Sequence, residues 1–337
     1  MASIDSVTAS SSQRLNTLRG DDILVREVLL EKTREILAKT GFYLSGSQNS
    51  RGLCFDIVAR RDDVLLLVKV LTNVDSFSLE NSQELKMIAT TLAGSPLLLG
   101  VKSGAGELEE GVVYSRFGVP VLALQTFYDL VIEGMPPVIF AAPGGLYVRI
   151  DGEVLTRARE AKTISLGTLA EVAGVSRRTI QMYIEGMGAT VEIALKLEEF
   201  LGEPLITAVN PLAFAKQTDY EAQPIEGFQR FAEEVYRRLN GLGYSIVPTV
   251  KSPFDAFARE KKNLILTGVE MEGQDLARKA ETVVNISRIV ERDSALFVES
   301  KRVKLNLHGV PIISQDDLKK AQEADDILEL IAERKRR

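Results

Sequence analysis

The chain has 337 residues, a hydrophobic content of 45% and a formal net charge of −6, which suits about two or three compact domains. The negative charge argues against a protein that coats nucleic acid without selectivity. Because no apolar run approaches the roughly 20 residues of a membrane span and no signal peptide begins the chain, we expect a cytoplasmic protein without a membrane partner. One cysteine and one histidine exclude an internal disulfide and leave too few ligands for zinc, so we expect no metal or cofactor.

The N-terminal third predicts a tail followed by an α/β domain. Residues 1–20 are rich in serine and threonine and are predicted to form a poorly ordered tail. Residues 21–136 predict a helix over Asp22–Lys39, a short strand, a β-hairpin with a charged turn, a helix over Ser78–Leu92 and an apolar strand. The element order of this domain is therefore αβββαβ.

Residues 145–212 follow a helical pattern instead. A strand over Leu146–Ile150 leads into short helices, and two of these meet at Gly174, which adopts the positive φ of a tight turn without steric cost. One turn earlier, Ala170 is small enough to let the second helix cross closely over the first. Ser176 is a good N-cap, so we expect the second helix to start there and to expose polar side chains on its outer face. An ordinary helical hairpin is the alternative interpretation.

The pair of helices resembles the Cro/repressor-type helix-turn-helix family, in which the second helix enters the DNA major groove. That resemblance implies that Arg177 or Arg178 pairs with guanine and that Gln181 reaches adenine, while Ser176 and Thr179 hold phosphates. The full predicted DNA-binding set is Ser165, Ser176, Arg177, Arg178, Thr179, Gln181, Arg157 and Lys162.

The charge balance of the helical segment limits this prediction. Between residues 151 and 203 there are nine acidic and six basic side chains, so strong non-specific attraction to DNA is not expected. Binding would depend on a local positive face made by Arg157, Lys162 and the two arginines of the second helix. A scaffold whose acidic helical module binds protein is a third interpretation of the chain.

The α/β pattern recurs after the helical module. Residues 254–269 align without gaps to residues 55–70 at a constant offset of 199, and Phe-Asp and Ala-Arg recur within the alignment. The flanking helices and strands follow in the same order, so residues 222–325 predict a second αβββαβ domain. Residues 326–337 are predicted to be a charged C-terminal tail.

The repeated order resembles the core of restriction-endonuclease-like, PD-(D/E)XK, nucleases. In those enzymes an aspartate and an acid-x-lysine on the next strand bind Mg²⁺ and position the attacking water. Asp56 and Lys69 match the aspartate and the lysine, but Leu67 stands where the acid is required. Asp63 and Glu84 are nearby carboxylates that offer substitutes.

The second copy departs further from the nuclease pattern. It keeps Asp255, but Leu266 and Gly268 stand in place of the acid and the lysine. Because a divalent ion needs more than one carboxylate to be held against water, we predict that neither copy is an enzyme. A nuclease directed to a DNA structure or sequence by the helix-turn-helix, using Asp56 and Lys69, remains the alternative.

The predicted fold is thus α/β plus all-α, with two restriction-endonuclease-like αβββαβ domains flanking a Cro/repressor-type helix-turn-helix bundle. The chain resembles archaeal HTH-type transcriptional regulators over roughly residues 22–325, most specifically between Gly145 and Leu205. This resemblance implies a sequence-specific regulator that reads the major groove with the helix starting at Ser176. Its expected partners are double-stranded DNA and a second copy of the chain.

Overall fold

The computed structural model describes residues 23–46, 52–213, 230–270, 274–300 and 304–336. The predicted N-terminal tail, residues 1–20, lies outside these ranges, as does the start of the second α/β domain at 222. The chain forms two compact units that do not follow the linear order of the predicted domains, because the first α/β domain contributes to both. Of the described residues, the first unit holds 23–40, 70–78 and 97–213, and the second holds 41–46, 52–69, 79–96 and the chain from 230 onward.

The first unit begins with α1 (residues 23–39) and continues through a set of strands. Strand β4 (Ser95–Ser103) pairs in parallel with β7 (Val119–Ala123), and β7 pairs antiparallel with β6 (Val112–Arg116). The short β5 (Gly106–Glu107) pairs with β4, and α3 (Leu124–Tyr128) follows β7. Strand β6 also pairs with β8 (Ile139–Ala142), which connects this sheet to the helical module through β9 (Gly145–Ile150).

Four helices of the first unit form the helix-turn-helix module. They pack around β9, which also pairs with β10 (Ala189–Thr190) and β11 (Ile206–Thr207). Their core holds Leu155, Leu169, Ile180 and Leu197, all fully buried. The helices are α4 (Gly152–Ala161), α5 (Leu166–Ala173), α6 (Arg177–Ile184) and α7 (Val191–Leu201).

Local capping explains where these helices begin and end. The side chains of Ser165, Ser176 and Thr190 each accept a hydrogen bond from the backbone N–H three residues later, so all three are N-caps, and the N-cap predicted at Ser176 is confirmed. Gly174 and Gly202 end α5 and α7 in the left-handed conformation, with φ of 67° and 64°. The tight turn at Gly174 is therefore confirmed.

The second unit contains the hairpin of the first α/β copy and the described part of the second copy. Strand β1 (Tyr43–Leu44) pairs with β2 (Ile57–Arg61), and β2 pairs with β3 (Val64–Asn73), whose residues up to 69 belong to this unit. Helix α2 (Leu79–Leu92) also lies here. The second copy adds helices α8 (Arg230–Gly241), α9 (Gln274–Val290), α10 (Gln315–Lys320) and α11 (Ala324–Lys335).

The strands of the second copy form a sheet of their own, in the order β12-β13-β14-β15-β17-β16. Strands β14 and β15 are parallel, as are β15 and β17, whereas the β12–β13–β14 meander is antiparallel. These strands are β12 (Ser245–Pro248), β13 (Ala256–Glu260), β14 (Asn263–Glu270), β15 (Asp293–Val298), β16 (Asn306–Leu307) and β17 (Val310–Ser314).

The sequence repeat is visible in the backbone. The hairpin turns place Asp62 and Lys261 at φ of 51° and 49°, again 199 residues apart. The residues just after α2 and α9, Ala93 and Glu291, also share a positive φ, at 55° and 53°. Because non-glycine residues rarely adopt this conformation, its recurrence at equivalent turns supports a duplicated fold.

The prediction of a charged tail at 326–337 is wrong. Residues Ala324–Lys335 form α11, whose Ile327 and Ile331 are buried in the core of the second copy. Arg334 is also buried, and it donates hydrogen bonds to the Ile312 carbonyl and the Asp317 carboxylate. The charges that suggested a tail lie mainly on the solvent side of an amphipathic helix. None of the helices in the described ranges has the length and apolarity needed to cross a membrane.

Candidate nucleic-acid interface

Helix α6 has one face buried in the module core and an opposite face exposed to solvent. Ile180 and Tyr183 are buried in the module core, whereas Arg178, Gln181 and Met182 are exposed. The 3.6-residue period of the helix separates these two sets onto opposite sides. Packing of the buried face therefore fixes the position of the exposed face, as is required of a helix that contacts base edges.

The two arginines at the start of α6 differ in placement. The Arg177 guanidinium lies against the backbone of Gly167 in α5, with Cζ 3.2 Å from the position that a Cβ on that glycine would take. Arg178 is exposed and lies at the Cβ position of none of the described glycines. Within the described ranges neither arginine forms an ion pair. Both positive charges are thus available to an anionic partner.

The polar side chains of α6 and its N-cap that are predicted to contact DNA form hydrogen bonds within the protein. Gln181 donates from Nε2 to the Glu185 carboxylate at 3.1 Å. The hydroxyls of Ser176 and Thr179 lie 2.9 Å apart and share a hydrogen bond while Ser176 Oγ also caps α6. Because these groups are exposed, each can exchange its internal partner for a phosphate or base edge.

Ser165 repeats the same arrangement at the start of α5. Its hydroxyl caps the Thr168 N–H at 3.0 Å and pairs with the Thr168 hydroxyl at 3.0 Å. Leu166 follows Ser165 and is half-buried in the module core. The polar contribution of this turn to a DNA interface therefore comes from two hydroxyls.

Of the three basic residues in and just after α4, one forms no ion pair in the described part of the chain and two are bonded to other groups of the protein. Arg157 is exposed and has no ion-pair partner in the described part of the chain. Lys162 donates its ammonium to the Leu201 carbonyl at the end of α7. Arg159, which was not among the predicted site residues, bonds to the Ile164 carbonyl and the Glu160 carboxylate. Of the predicted cations, Arg157, Arg177 and Arg178 are therefore the ones that form neither an ion pair nor a side-chain hydrogen bond in the described part of the chain.

Two glycines that the sequence reasoning passed over set the geometry of the module. Gly152 begins α4, and its Cα lies directly against the backbone carbonyl of Ile184 at the end of α6. Gly167 leaves the space in which the Arg177 guanidinium lies. Gly167 lies inside a predicted helix, where glycine is costly relative to alanine, and that cost was the available signal of a close contact at this position.

The nuclease-like residues of the first copy do come together. Lys69 Nζ lies 3.3 Å from Asp56 Oδ1 and donates to the Leu53 carbonyl at 2.7 Å. Both side chains are buried, with 7% and 1% of their surfaces exposed. An ammonium and a carboxylate in this arrangement neutralise each other, and Leu67 supplies no second carboxylate.

Glu84, the candidate substitute acid, is committed to another contact. Its Oε1 accepts the backbone N–H groups of Val250 and Lys251 at 2.9 and 2.6 Å, joining α2 to the loop that follows β12. Burial raises the pKa of Glu84 despite these hydrogen bonds. Asp63, the other substitute, is exposed in the hairpin turn. Burial also raises the pKa of the Cys54 thiol, which disfavours its reactive thiolate form.

The second copy contains a polar pocket that the sequence did not reveal. Lys279 on α9 lies 2.6 Å from Asp255 and 2.9 Å from Glu270. The ammonium beside Asp255 therefore comes from a helix, because Gly268 occupies the strand position of the nuclease lysine. Asp255 also accepts the Val269 N–H at 2.7 Å. These groups line a cavity of about 590 Å³. Among the residues that the structure describes, no cluster of three or more His, Cys, Asp or Glu side chains is placed to hold a metal ion.

The fold and the exposed α6 define the class as helix-turn-helix proteins, joined here to an α/β domain of nuclease type. Comparison with known families agrees on both parts. A PD-(D/E)XK superfamily domain matches residues 26–137, and a helix-turn-helix matches residues 155–206. No solved structure matches the chain.

The chain resembles archaeal proteins along nearly its whole length. It is 38% identical to an HTH-type transcriptional regulatory protein of Methanocaldococcus jannaschii, over 92% of this chain and 96% of that one. Relatives of the same description in Methanocella arvoryzae and Archaeoglobus fulgidus are 37% and 36% identical, each over 97% of its own length and over 92% and 91% of this chain. The chain therefore belongs to the family of archaeal HTH-type transcriptional regulatory proteins.

Proposed function

We propose that this chain is a sequence-specific, DNA-binding transcriptional regulator of the archaeal cytoplasm that reads the major groove with α6. The two-faced construction of α6 supports this proposal most directly. Ile180 and Tyr183 hold the helix in place, and Arg177, Arg178 and Gln181 remain on the accessible side. Arginine and glutamine are the side chains that pair bidentately with guanine and adenine edges.

The acidic surroundings favour selective over general binding. With a chain net charge of −6, long-range attraction to DNA is weak, so affinity must come from a few well-placed contacts. Arg157 is proposed to reach the phosphate backbone together with the hydroxyls of Ser165, Ser176 and Thr179. Such contacts set the register of the helix on the duplex, while base contacts set the sequence.

We also propose that the protein acts as a homodimer. A single helix-turn-helix covers one half-site, and readers of this class bind paired half-sites one or more helical turns apart. A two-fold dimer would therefore select a palindromic sequence. Sedimentation of the free protein and the symmetry of the selected sequence would test this point together.

The nuclease-like copies are proposed to be a structural frame and not an enzyme. In the first copy, the buried Lys69 ammonium neutralises Asp56 at 3.3 Å, and Glu84 binds backbone amides. Incubation of the protein with Mg²⁺ and with linear or branched DNA is expected to leave the DNA intact. Cleavage that disappears in Asp56→Ala would overturn this part and establish the nuclease alternative.

Selection from a random DNA pool, at about 0.15 M salt, tests the regulator proposal. We expect wild-type protein to enrich one sequence and Arg177→Ala/Arg178→Ala to lose it without a change in melting temperature, because both side chains are exposed. Arg230→Ala/Arg237→Ala removes the same charge from α8, where both side chains are more than 70% exposed, and should retain binding. Failure of the wild type to enrich any sequence, or unaltered affinity in the α6 variant, would contradict the proposal and favour a protein-binding scaffold.

A further inference from the structure

The Arg177 guanidinium occupies the space that a side chain at Gly167 would need. A Cβ on Gly167 would lie 2.9 Å from Arg177 Nη2, 3.0 Å from Nε and 3.2 Å from Cζ. Three guanidinium atoms at similar distances indicate that the planar group lies across the α5 backbone instead of touching it with one corner. Only a residue without a side chain permits this approach.

The presence of glycine at this position runs against the needs of the helix. Gly167 is the second residue of α5 and has helical backbone geometry, for which alanine has the higher intrinsic propensity. No positive φ calls for it, since the left-handed turn comes later, at Gly174. The three atoms nearest to its Cβ position all belong to the Arg177 guanidinium, so the space that glycine leaves is used by that group.

The position of the guanidinium is electrostatically unfavourable in the free protein. The first turn of a helix carries partial positive charge, which repels a cation and attracts an anion. Arg177 has no ion-pair partner among the described residues. An approaching DNA phosphate would neutralise this charge, whereas a base edge would have to draw the guanidinium away from α5.

We infer that Gly167 is a positioning residue, which seats Arg177 as a contact to the DNA phosphate backbone. Base reading then falls to Arg178 and Gln181, which extend from the exposed face of α6. This role rests on the proposed DNA-binding function. It separates the two arginines that the sequence alone leaves as equivalent candidates for pairing with guanine.

The two roles of an arginine give different binding signatures. Loss of a phosphate contact weakens binding about equally for all sequences and lowers the slope of log affinity against log salt by about 1. Loss of a base contact relaxes specificity at one position of the site instead. We expect Arg177→Ala to show the first signature, with about tenfold weaker binding to every sequence, and Arg178→Ala to show the second.

Gly167→Ala provides the sharper test, because stability and affinity should move in opposite directions. Alanine improves the helix propensity of α5, so the melting temperature is expected to stay level or rise. The new Cβ displaces the guanidinium, so affinity for the selected sequence should fall about three- to tenfold, with the same loss of salt slope. Gly241→Ala is the matched control, since that glycine ends α8 with nothing within 4 Å of its Cβ position.

The double variant Gly167→Ala/Arg177→Ala tests whether the glycine and the arginine act together. If Gly167 acts through Arg177, Gly167→Ala should cost no further affinity in the Arg177→Ala background. Wild-type affinity in Gly167→Ala, an equal loss in both backgrounds, or altered specificity at one base position in Arg177→Ala would each overturn the inference while leaving DNA binding established. If Gly167→Ala fails to fold, the salt slope and base preferences of Arg177→Ala still decide the role of the arginine. Absence of selective binding by the wild type would instead refute the proposed function itself.

Discussion

The backbone carbonyl of Ile184 packs directly against the Cα of Gly152. This contact joins the end of α6 to the start of α4 and allows no side chain between them. It fixes how α6 packs against α4 before the chain continues into β10, which pairs with β9. Gly152, which in the sequence looks like part of an ordinary Asp-Gly turn, therefore sets how α4 and α6 pack against each other.

Replacement of Gly152 should destabilise the module. A Cβ at this position meets backbone atoms that cannot rotate away, so Gly152→Ala is expected to cost about 1–3 kcal/mol in the free energy of unfolding. Chemical denaturation followed by circular dichroism would measure the loss. Gly241→Ala, which enters open space, should be neutral or slightly stabilising. Equal stability of Gly152→Ala and wild type would show that α4 and α6 can separate without cost.

Lys162 and Arg157 should respond differently to the same replacement. Lys162 donates to the Leu201 carbonyl at the end of α7, so Lys162→Met should lower stability by about 0.5–1.5 kcal/mol and change DNA affinity little. Arg157 is exposed and without an ion pair in the described part of the chain. Arg157→Met should therefore weaken DNA binding with an unchanged melt. The reverse pattern in paired melting and binding measurements would assign Lys162 to the DNA interface.

The buried ion pair of the first nuclease-like copy predicts strongly non-additive mutations. Lys69→Met leaves the Asp56 carboxylate buried without its ammonium, and should cost about 3–5 kcal/mol in stability. Asp56→Asn/Lys69→Met removes both charges and is expected to be more stable than the single variant. Urea unfolding of both variants would compare their free energies of unfolding. A single variant as stable as the double would mean that water reaches Asp56.

Acid should selectively weaken the C-terminal helix α11. Burial alone would raise the pKa of Asp317, but hydrogen bonds from Arg334 and Ser314 outweigh it and bring the pKa to about 2. A carboxyl whose pKa is depressed in the folded state stabilises the protein above its ordinary pKa, and this contribution is lost as the pH falls through the folded value. The loss is expected between pH 3.8 and about 2.

Asp317→Asn should remove that part of the acid dependence. Because Asp317 is partly exposed to solvent, the effect will be smaller than for a buried pair. Asp316→Asn is the matched control, since it removes the same charge from the exposed neighbouring position. Thermal melts of both variants across this pH range would make the comparison. An Asp317→Asn profile that parallels wild type down to pH 2 would show that the Arg334 contact contributes nothing.

The predictions from sequence succeeded where the cause is local. The helix start at Ser176 and the turn at Gly174 follow from bonds within one helical turn, so neighbouring residues contain all the information. The repeat was equally readable, because alternating strands and charged turns recur at one spacing. The charged C-terminal segment was misassigned because its helix depends on burial of Ile327 and Ile331 against a distant sheet.

By itself, the sequence determined where the two helices of the helix-turn-helix meet and that an α/β pattern occurs twice. Only the tertiary structure decided which cations remain available: Lys162 is held by a carbonyl 39 residues away, and Arg177 lies on Gly167. It also brought Lys279 to Asp255 from another element. Capping depends on groups a few bonds apart, whereas the partner of a long charged side chain depends on which surfaces the completed fold brings within its reach.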